Sequence, residues 1–459
     1  MADKQDFKQF IFGKVMDLNK PFSMKDIEEI IARGRQIQQS GVLPSLEQLS
    51  NFFSRLSNAW SDPAYHLRKE ALEVLKENTG MSEGFINLVL QEFAKVFSPQ
   101  NLMKRLEGEF GDSSIQDRPV LQKSTNTRLI VRPAGLVLHV VAGNVFTGAI
   151  ESLIDGIVTK NINFLKMSSD DRDFPIIFAR SIMECDEEGI ISGRIALLWW
   201  PHQETEIENL FKQTMDRILF WGGHDALLNW KNGLGLQAIL IQHGPKISFG
   251  VISKTGMEAA DLNDLSYKIA LDVSLWEQKA CNCPQMLFIE DTISEDKINL
   301  FMNALQKGFK KINSEMPPAS RSSDDHVEVL RFRELAIAKD IMTDGHTDVF
   351  GPDTLDWTIV HQKSSQGQQF ELSPLNRAII IKHYASLNSL ANLIKDNAFY
   401  LQTAGYCLGH AEVSDYAITL FNMGVTRLCP FGIMSIVAAG TPHDGSYALR
   451  DLTRMTVIE

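Results

Sequence analysis

From residue 128 onward the chain alternates short β-branched runs with helical stretches, and this rhythm constrains the fold more than any other feature. Residues 129–132 and 136–141 read as strands on either side of the breaker Pro133-Ala134-Gly135, and Gly143-Asn144-Val145 ends the second. Residues 149–158 fit a helix, 162–166 a strand, 174–185 a helix, 194–199 a strand, 204–215 a helix and 217–221 a strand. Strand, helix, strand at this spacing predicts parallel strands joined by crossover helices, a doubly wound α/β sheet. The alternation resumes between residues 247 and 289, which predicts a second α/β unit.

The remainder organises around these two units. Residues 1–125 read as a helical N-terminal region. Ser61-Asp62-Pro63 looks like a helix start, followed by Leu67, Ala71, Leu72 and Leu75 at helical spacing; Gly80 and Ser82 break the pattern, and Phe85, Leu88, Val89, Phe93 and Val96 resume it. Residues 109–126 read as a crossing loop or hairpin, and 307–325 as a polar, exposed segment. The expected domains are 126–244 for a dinucleotide, 245–428 for catalysis, and 429–459 as a segment returning to the cofactor and oligomerisation region.

A net charge of −12 argues against a nucleic-acid partner and a polybasic membrane anchor. No apolar run approaches the roughly 18 residues of a membrane span. Five cysteines (185, 281, 283, 407 and 429) in 459 residues suit a reducing cytoplasm rather than a disulfide framework. The polar start, Met1 to Asp6, has no signal-peptide character. The many phenylalanines, 26 in all, would suit a lipid tunnel, although packing explains most of them.

Four segments carry chemistry. In Ala280-Cys281-Asn282-Cys283-Pro284, a turn of small residues delivers a thiol just before an apolar strand, where backbone N–H groups can lower its pKa and hold an oxyanion. Cys283 is the second candidate nucleophile, since an extended run would turn both thiols to one face. Asn144 follows a strand, at the end where open α/β sheets bind ligands; taken alone, it serves as readily to cap the next helix. Lys166 ends a buried strand and suits a ribose or phosphate, or a tail snorkelling to water. Gly222-Gly223 stands between a strand and a helix start, a place for a pyrophosphate or simply a tight turn. No set of four ligands suggests a metal. The histidines read singly as structural, and His443 is the one most worth testing.

Together these residues resemble the aldehyde dehydrogenase superfamily. Gly135 to Asn144 is similar to its oxyanion strand, Lys166-Met167-Ser168 to its Lys-Pro-Ser, Phe220-Trp221-Gly222-Gly223 loosely to its Phe-Thr-Gly-Ser, and Gln278 to Cys281 to its nucleophile loop. A narrower resemblance covers residues 129–459. Ala280-Cys281 with Pro284-Gln285, the run Gly424 to Gly432, and His443-Asp444-Gly445 look like the long-chain acyl-CoA reductase family, which includes the reductase of the bacterial bioluminescence fatty-acid reductase complex. The resemblance implies an aldehyde-dehydrogenase-like fold, a Cys281 nucleophile, an Asn144 oxyanion donor, and Lys166, Ser168, Ser169, Gly222 and Gly223 around the cofactor.

It also implies a homo-oligomer, a fatty acyl-CoA substrate and an acyl-protein synthetase as partner. The superfamily's water-activating Glu-Leu-Gly-Gly-Lys is here Lys246-Ile247-Ser248-Phe249-Gly250, without a carboxylate, so an acyl-cysteine is kept for reduction rather than hydrolysis. NAD-preferring relatives place a Glu three residues after the lysine; here that position is Ser169, with Arg172 near, which implies NADPH against the opposing charges of Asp170, Asp171 and Asp173. The expected activity is NADPH-dependent reduction of a fatty acyl thioester to an aldehyde. Its rivals are an acyl-phosphate reductase and a non-catalytic acyl-carrying subunit.

Overall fold

The computed structural model describes residues 7–18, 22–169, 171–342, 346–363 and 369–459. Asp170 and the polar stretch 1–6 lie outside them. The chain forms two compact units: Met1–Asn78, Phe85–Gly244 and Ala438–Glu459 make the first, Thr79–Gly84 and Pro245–Val437 the second.

In the first unit the strands are β1 (Phe7–Ile11), β2 (Val15–Leu18), β3 (Val120–Gln122), β4 (Thr127–Pro133), β5 (Leu136–Val140), β6 (Ile162–Lys166), β7 (Ile195–Leu198), β8 (Arg217–Trp221) and β9 (Ile239–His243). Seven of them form one sheet in the order β2-β1-β7-β6-β5-β8-β9. The strands β5 to β9 pair in parallel. Leu136, Val137 and Leu138 of β5 are each fully buried, as continuous apolar runs covered by helices on both faces must be. The chain winds from β5 outward through β6 and β7, then returns to place β8 on the other flank of β5. That reversal opens a crevice beyond the carboxyl ends of β5 and β8.

The N-terminal region departs from the expectation of helices alone. The hairpin of β1 and β2 extends the sheet, with β1 antiparallel to β7. Ser61 closes the helix Leu46–Ser61 rather than opening one, and the next helix starts at His66. Between them the Asp62 carboxylate accepts the N–H of Ala64, 2.8 Å, which stabilises a turn there. The 109–126 segment holds the first strand and the turn of a hairpin, β3 pairing antiparallel with β4, which follows it.

The second unit contains β10 (Ile247–Ile252), β11 (Pro284–Glu290), β12 (Thr347–Phe350), β13 (Thr358–Gln362), β14 (Ala378–Tyr384), β15 (Leu401–Cys407) and β16 (Arg427–Pro430), in the order β12-β13-β14-β11-β10-β15-β16. All neighbours are parallel except β12 with β13. The polar segment from residue 307 is not simply exposed. Its first part completes the helix Glu295–Glu315, with Phe309 and Ile312 fully buried and the lysines on the outer face. After the second unit the chain returns to the first as β17 (Thr453–Ile458), which pairs antiparallel with β4 from Thr453↔Pro133 to Ile458↔Arg128.

The aromatic residues of the helical region pack on one another. Trp60 meets Phe178 at 5.3 Å and Phe174 at 5.9 Å, and Phe93 meets Phe178 at 5.7 Å. These rings are core, not tunnel lining.

Candidate active site

In the first unit, the expected cofactor residues share one edge. Val140 of β5 pairs with Lys166 of β6 and with Phe220 of β8, so Asn144, Lys166, Ser168, Ser169, Gly222 and Gly223 all follow the carboxyl ends of three adjacent strands. The Lys166 ammonium lies over the Trp200 ring, 5.4 Å from its centre, and makes no hydrogen bond to the described residues. Burial holds its pKa below the usual lysine range, with Glu208 partly opposing. A half-buried cation in that state is ready for an anionic or hydroxyl-rich ligand.

The two glycines differ. A Cβ on Gly222 would come within 2.8 Å of the Phe220 ring, so packing requires that glycine. A Cβ on Gly223 would meet nothing within 4 Å. Gly223 is the N-cap of the helix His224–Lys231 and has no side-chain cap, which leaves backbone N–H groups and open space for an approaching ligand.

Ser169 is exposed, and Arg172 stacks over the Trp199 ring at 5.0 Å. Of the three acidic residues expected to oppose a 2′-phosphate, Asp171 is turned inward. It is 7% exposed, and burial pushes its carboxyl up to about 7. Asp173 begins the following helix and stays exposed.

His139 is structural. It is fully buried and bonded to Ser152 (2.7 Å) and Asn163 (3.2 Å), and burial lowers its pKa to about 4. His443 belongs to a cluster: Asp444 reaches His243 Nδ1 at 3.1 Å and His443 Nδ1 at 3.5 Å, and Trp221 stacks on His243 at 3.8 Å. One ligand atom from each of His243, His443 and Asp444 lies within 4.8 Å of the others. Burial lowers the His443 pKa, but Asp444, Glu151 and Asp155 outweigh it, so the net shift is upward.

In the second unit, the thiol is placed by an unusual backbone. Trp276, Glu277 and Gln278 have φ of 56°, 51° and 61°; facing them, Leu375, Asn376 and Arg377 have φ of 62°, 55° and 63°. Six non-glycine residues in the left-handed region cost about 1–2 kcal/mol each, and the surrounding bonds must offset this. The two runs are locked together. Asn376 N–H donates to Glu277 O at 3.0 Å. The Glu277 carboxylate accepts from Arg377 at 2.5 and 3.0 Å, and both side chains are buried. Gln278 donates to the carbonyls of Pro284 (2.8 Å) and Ala378 (2.9 Å) and accepts from Ala378 N–H (2.9 Å).

This lock ends three residues before Cys281, which stands in a turn at the amino end of β11. The Ser248 hydroxyl donates to Cys281 O at 2.7 Å and accepts Thr403 N–H at 3.2 Å, at a register shift in β10. Ser248 belongs to the stretch that lacks the superfamily's carboxylate; here that stretch supports the backbone of the thiol.

The expectation that Cys281 and Cys283 share an extended face is not met, because the segment is a turn. Cys281 is partly exposed, whereas Cys283 is 1% exposed and donates to Leu275 O at 3.3 Å. Burial pushes the Cys283 thiol far above the usual range, and those of Cys185, Cys407 and Cys429 to about 11. A nucleophile must ionise, which speaks against all four.

Sequence reasoning missed the second layer. Ser435 sits 3.8 Å from Cys283 Sγ and donates to Asn282 at 3.4 Å. Buried Asp272 accepts the N–H groups of Gly432 (2.6 Å) and Met434 (3.2 Å), which fixes that loop. A buried aspartate inside a helix's apolar pattern was the available signal.

A family model described as acyl-CoA reductase (LuxC) matches residues 43–455. The long-chain acyl-protein thioester reductase of Vibrio harveyi is 25% identical over 413 residues, spanning 89% of this chain and 82% of that protein. The protein of the same description from Photorhabdus laumondii is 26% identical over 412 residues, spanning 89% and 81%. Among solved structures, aldehyde dehydrogenase 21 from Physcomitrella patens, in complex with succinate, matches with a TM-score of 0.75 at 11% identity over 98% of this chain and 97% of that one. Aldehyde dehydrogenase C from Pseudomonas syringae, complexed with NAD+ and octanal, matches with a TM-score of 0.72 at 11% identity over 100% and 97%. The fold is aldehyde-dehydrogenase-like, as the sequence implied.

Proposed function

The chain belongs to the acyl-CoA reductase (LuxC) family, and from that membership we propose that it reduces a long-chain fatty acyl thioester to the aldehyde with NADPH, through an acyl group carried on Cys281. The observation that carries this reading is the Cys281 loop. Of the five thiols, only Cys281 combines partial exposure with a turn locked by buried charge and supported at its carbonyl.

The Cys281 thiolate attacks the thioester carbonyl, a C–S bond forms, and the tetrahedral oxyanion collapses to expel the CoA or carrier thiolate. Asn144 and the Cys281 backbone N–H are the proposed oxyanion donors. NADPH, when bound, supplies the hydride that reduces the acyl carbon. Loss of the Cys281 Sγ–C bond then frees the aldehyde and restores the thiolate. We assign the first unit to the dinucleotide and the second to catalysis. Lys166 and Ser168 hold the ribose, Gly222-Gly223 takes the pyrophosphate, and neutral Ser169 with Arg172 admits a 2′-phosphate. The open space at Gly223 and the unbonded Lys166 ammonium fit such a group.

The Vibrio harveyi relative is described as an acyl-protein thioester reductase; this chain's donor is accordingly acyl-CoA or an acylated protein such as an acyl-protein synthetase. None of the five cysteines forms a disulfide among the described residues, which suits a reducing cytoplasm. No described helix is long and apolar enough to cross a membrane. We also propose a homo-oligomer, which light scattering measures directly.

Intact-mass spectrometry after mixing with long-chain acyl-CoA tests the reading. Wild type and Cys283→Ala gain one acyl group and lose it on adding NADPH, with release of aldehyde; Cys281→Ala gains none. Reduction by Cys281→Ala at the wild-type rate overturns the mechanism, and a gain that NADPH leaves in place marks an acyl carrier instead.

A further inference from the structure

We propose that the first unit carries a second ligand site, at the end of its sheet opposite the cofactor edge, that binds a small molecule bearing two or more phosphate charges. A cavity of about 280 Å³ opens at the amino ends of β5 and β6, beside Gly135 and Ile162. It lies one strand length, about 16 Å, from the carboxyl ends that hold Asn144 and Lys166. Four of its lining residues are cations, Arg132, Lys160, Arg194 and Arg454, and no lining residue is acidic.

The charges near the cavity do not balance. Lys160, 3% exposed, is paired with Asp117. Asp216, beneath Gly135, is held by Arg35 at 2.7 Å. Arg194 is 5% exposed, yet it bonds only to the carbonyls of Lys160 (3.3 Å) and Val42, and no described carboxylate pairs with it. Burial pulls its pKa down to about 10. Exposed Arg454 bonds, among the described residues, only to Ala134 O, and exposed Arg132 pairs with no described carboxylate. Three guanidinium groups without a counter-charge therefore face one cavity, in a chain whose net charge is −12.

A buried cation without a counter-charge, as Arg194 is, is costly, and proteins retain such groups where a ligand completes the pair. Guanidinium forks match phosphate oxygens in geometry and charge. The cavity has room for more than one phosphate, which favours a diphosphate, free or on a nucleoside, over a single inorganic phosphate.

Isothermal titration of the full-length protein at constant ionic strength tests this, with inorganic pyrophosphate and ADP as separate arms. With the dinucleotide site filled by excess NADPH, wild type is expected to bind one further equivalent. Arg132→Glu, an exposed change that breaks no described bond, weakens binding by about tenfold or more, and Arg194→Met does the same if it folds. Lys166→Met, at the cofactor edge, leaves that binding in place. Tighter binding of ADP identifies a nucleotide site, and equal or tighter binding of pyrophosphate identifies a site for the diphosphate alone. Absence of binding in both arms overturns the proposal, as does binding that Lys166→Met abolishes and Arg132→Glu leaves unchanged.

Discussion

Replacing Glu277 by Gln keeps the shape of the side chain and removes its charge. Glu277 Oε1 accepts two bonds from Arg377, at 2.5 and 3.0 Å, and one from Ala319 N–H at 3.3 Å. The amide oxygen can still accept these bonds, but the positive charge of Arg377, 3% exposed, is left uncompensated, because its other partners, Asn313 at 2.8 Å and Met316 O at 3.0 Å, are neutral. Breaking a buried ion pair from one side costs about 3–5 kcal/mol. With a urea slope of about 2–3 kcal/mol per molar for a unit of this size, the transition reporting on the second unit moves down by about 1.5 M. The same change frees the left-handed run that leads into Cys281. The rate of Cys281 alkylation by iodoacetamide, read by peptide mass, is expected to change several-fold while Cys283 stays unlabelled. A Glu277→Leu/Arg377→Met double variant should recover part of the stability, because no unpaired charge remains. A midpoint within 0.3 M of wild type (about 1 kcal/mol or less) and unchanged Cys281 reactivity would refute the argument that this pair holds the nucleophile loop.

The two glycines after β8 should separate cleanly. Gly222→Ala drives a methyl into the Phe220 ring and lowers Tm, whereas Gly223→Ala leaves Tm unchanged and raises KM for the dinucleotide; equal effects of both on Tm would contradict the assignment. Ser169→Glu brings a carboxylate to the proposed 2′-phosphate and should cut NADPH affinity by at least about tenfold relative to NADH, read by fluorescence titration. Asp272, raised by burial from 3.8 to about 7, contributes stability that is fully present below pH 3.8 and lost as pH rises through about 7. Asp272→Asn removes that dependence, so its Tm relative to wild type should be more favourable at pH 8 than at pH 5, and parallel Tm profiles would refute the shift.

Elements buried on both faces were easiest to read from sequence. β6 and β8 match the expected 162–166 and 217–221, because their apolar centres lie under helices; Lys166 and Arg217 stand at strand ends, and buried Asn163 is bonded to His139. β1 hid its nature: Phe7-Lys8-Gln9-Phe10-Ile11 carries polar residues, and Gln9 is fully buried because its side chain accepts Trp199 N–H at 3.3 Å. The lysines between residues 307 and 311 masked a helix whose Phe309 and Ile312 point inward. Cys281 was legible from its turn of small residues and its family match. The lock beside it was not, because Glu277 and Arg377 are 100 residues apart and only Asn376 among the six left-handed residues favours that conformation. Side chains that act through a distant partner leave no local pattern.

The return of the chain as β17 makes the second unit an insertion within the first, and this orders the events of vectorial synthesis. Residues 245–437 leave the ribosome as a nearly continuous block and can close their sheet without awaiting anything later. The first unit must hold β4 exposed along one edge until residues 453–458 appear, more than 300 residues after their partners. Contacts so distant in sequence form slowly. The unit assigned to the dinucleotide is thus the last to be completed, and β4 is the strand that a nascent chain must keep from pairing with a neighbour.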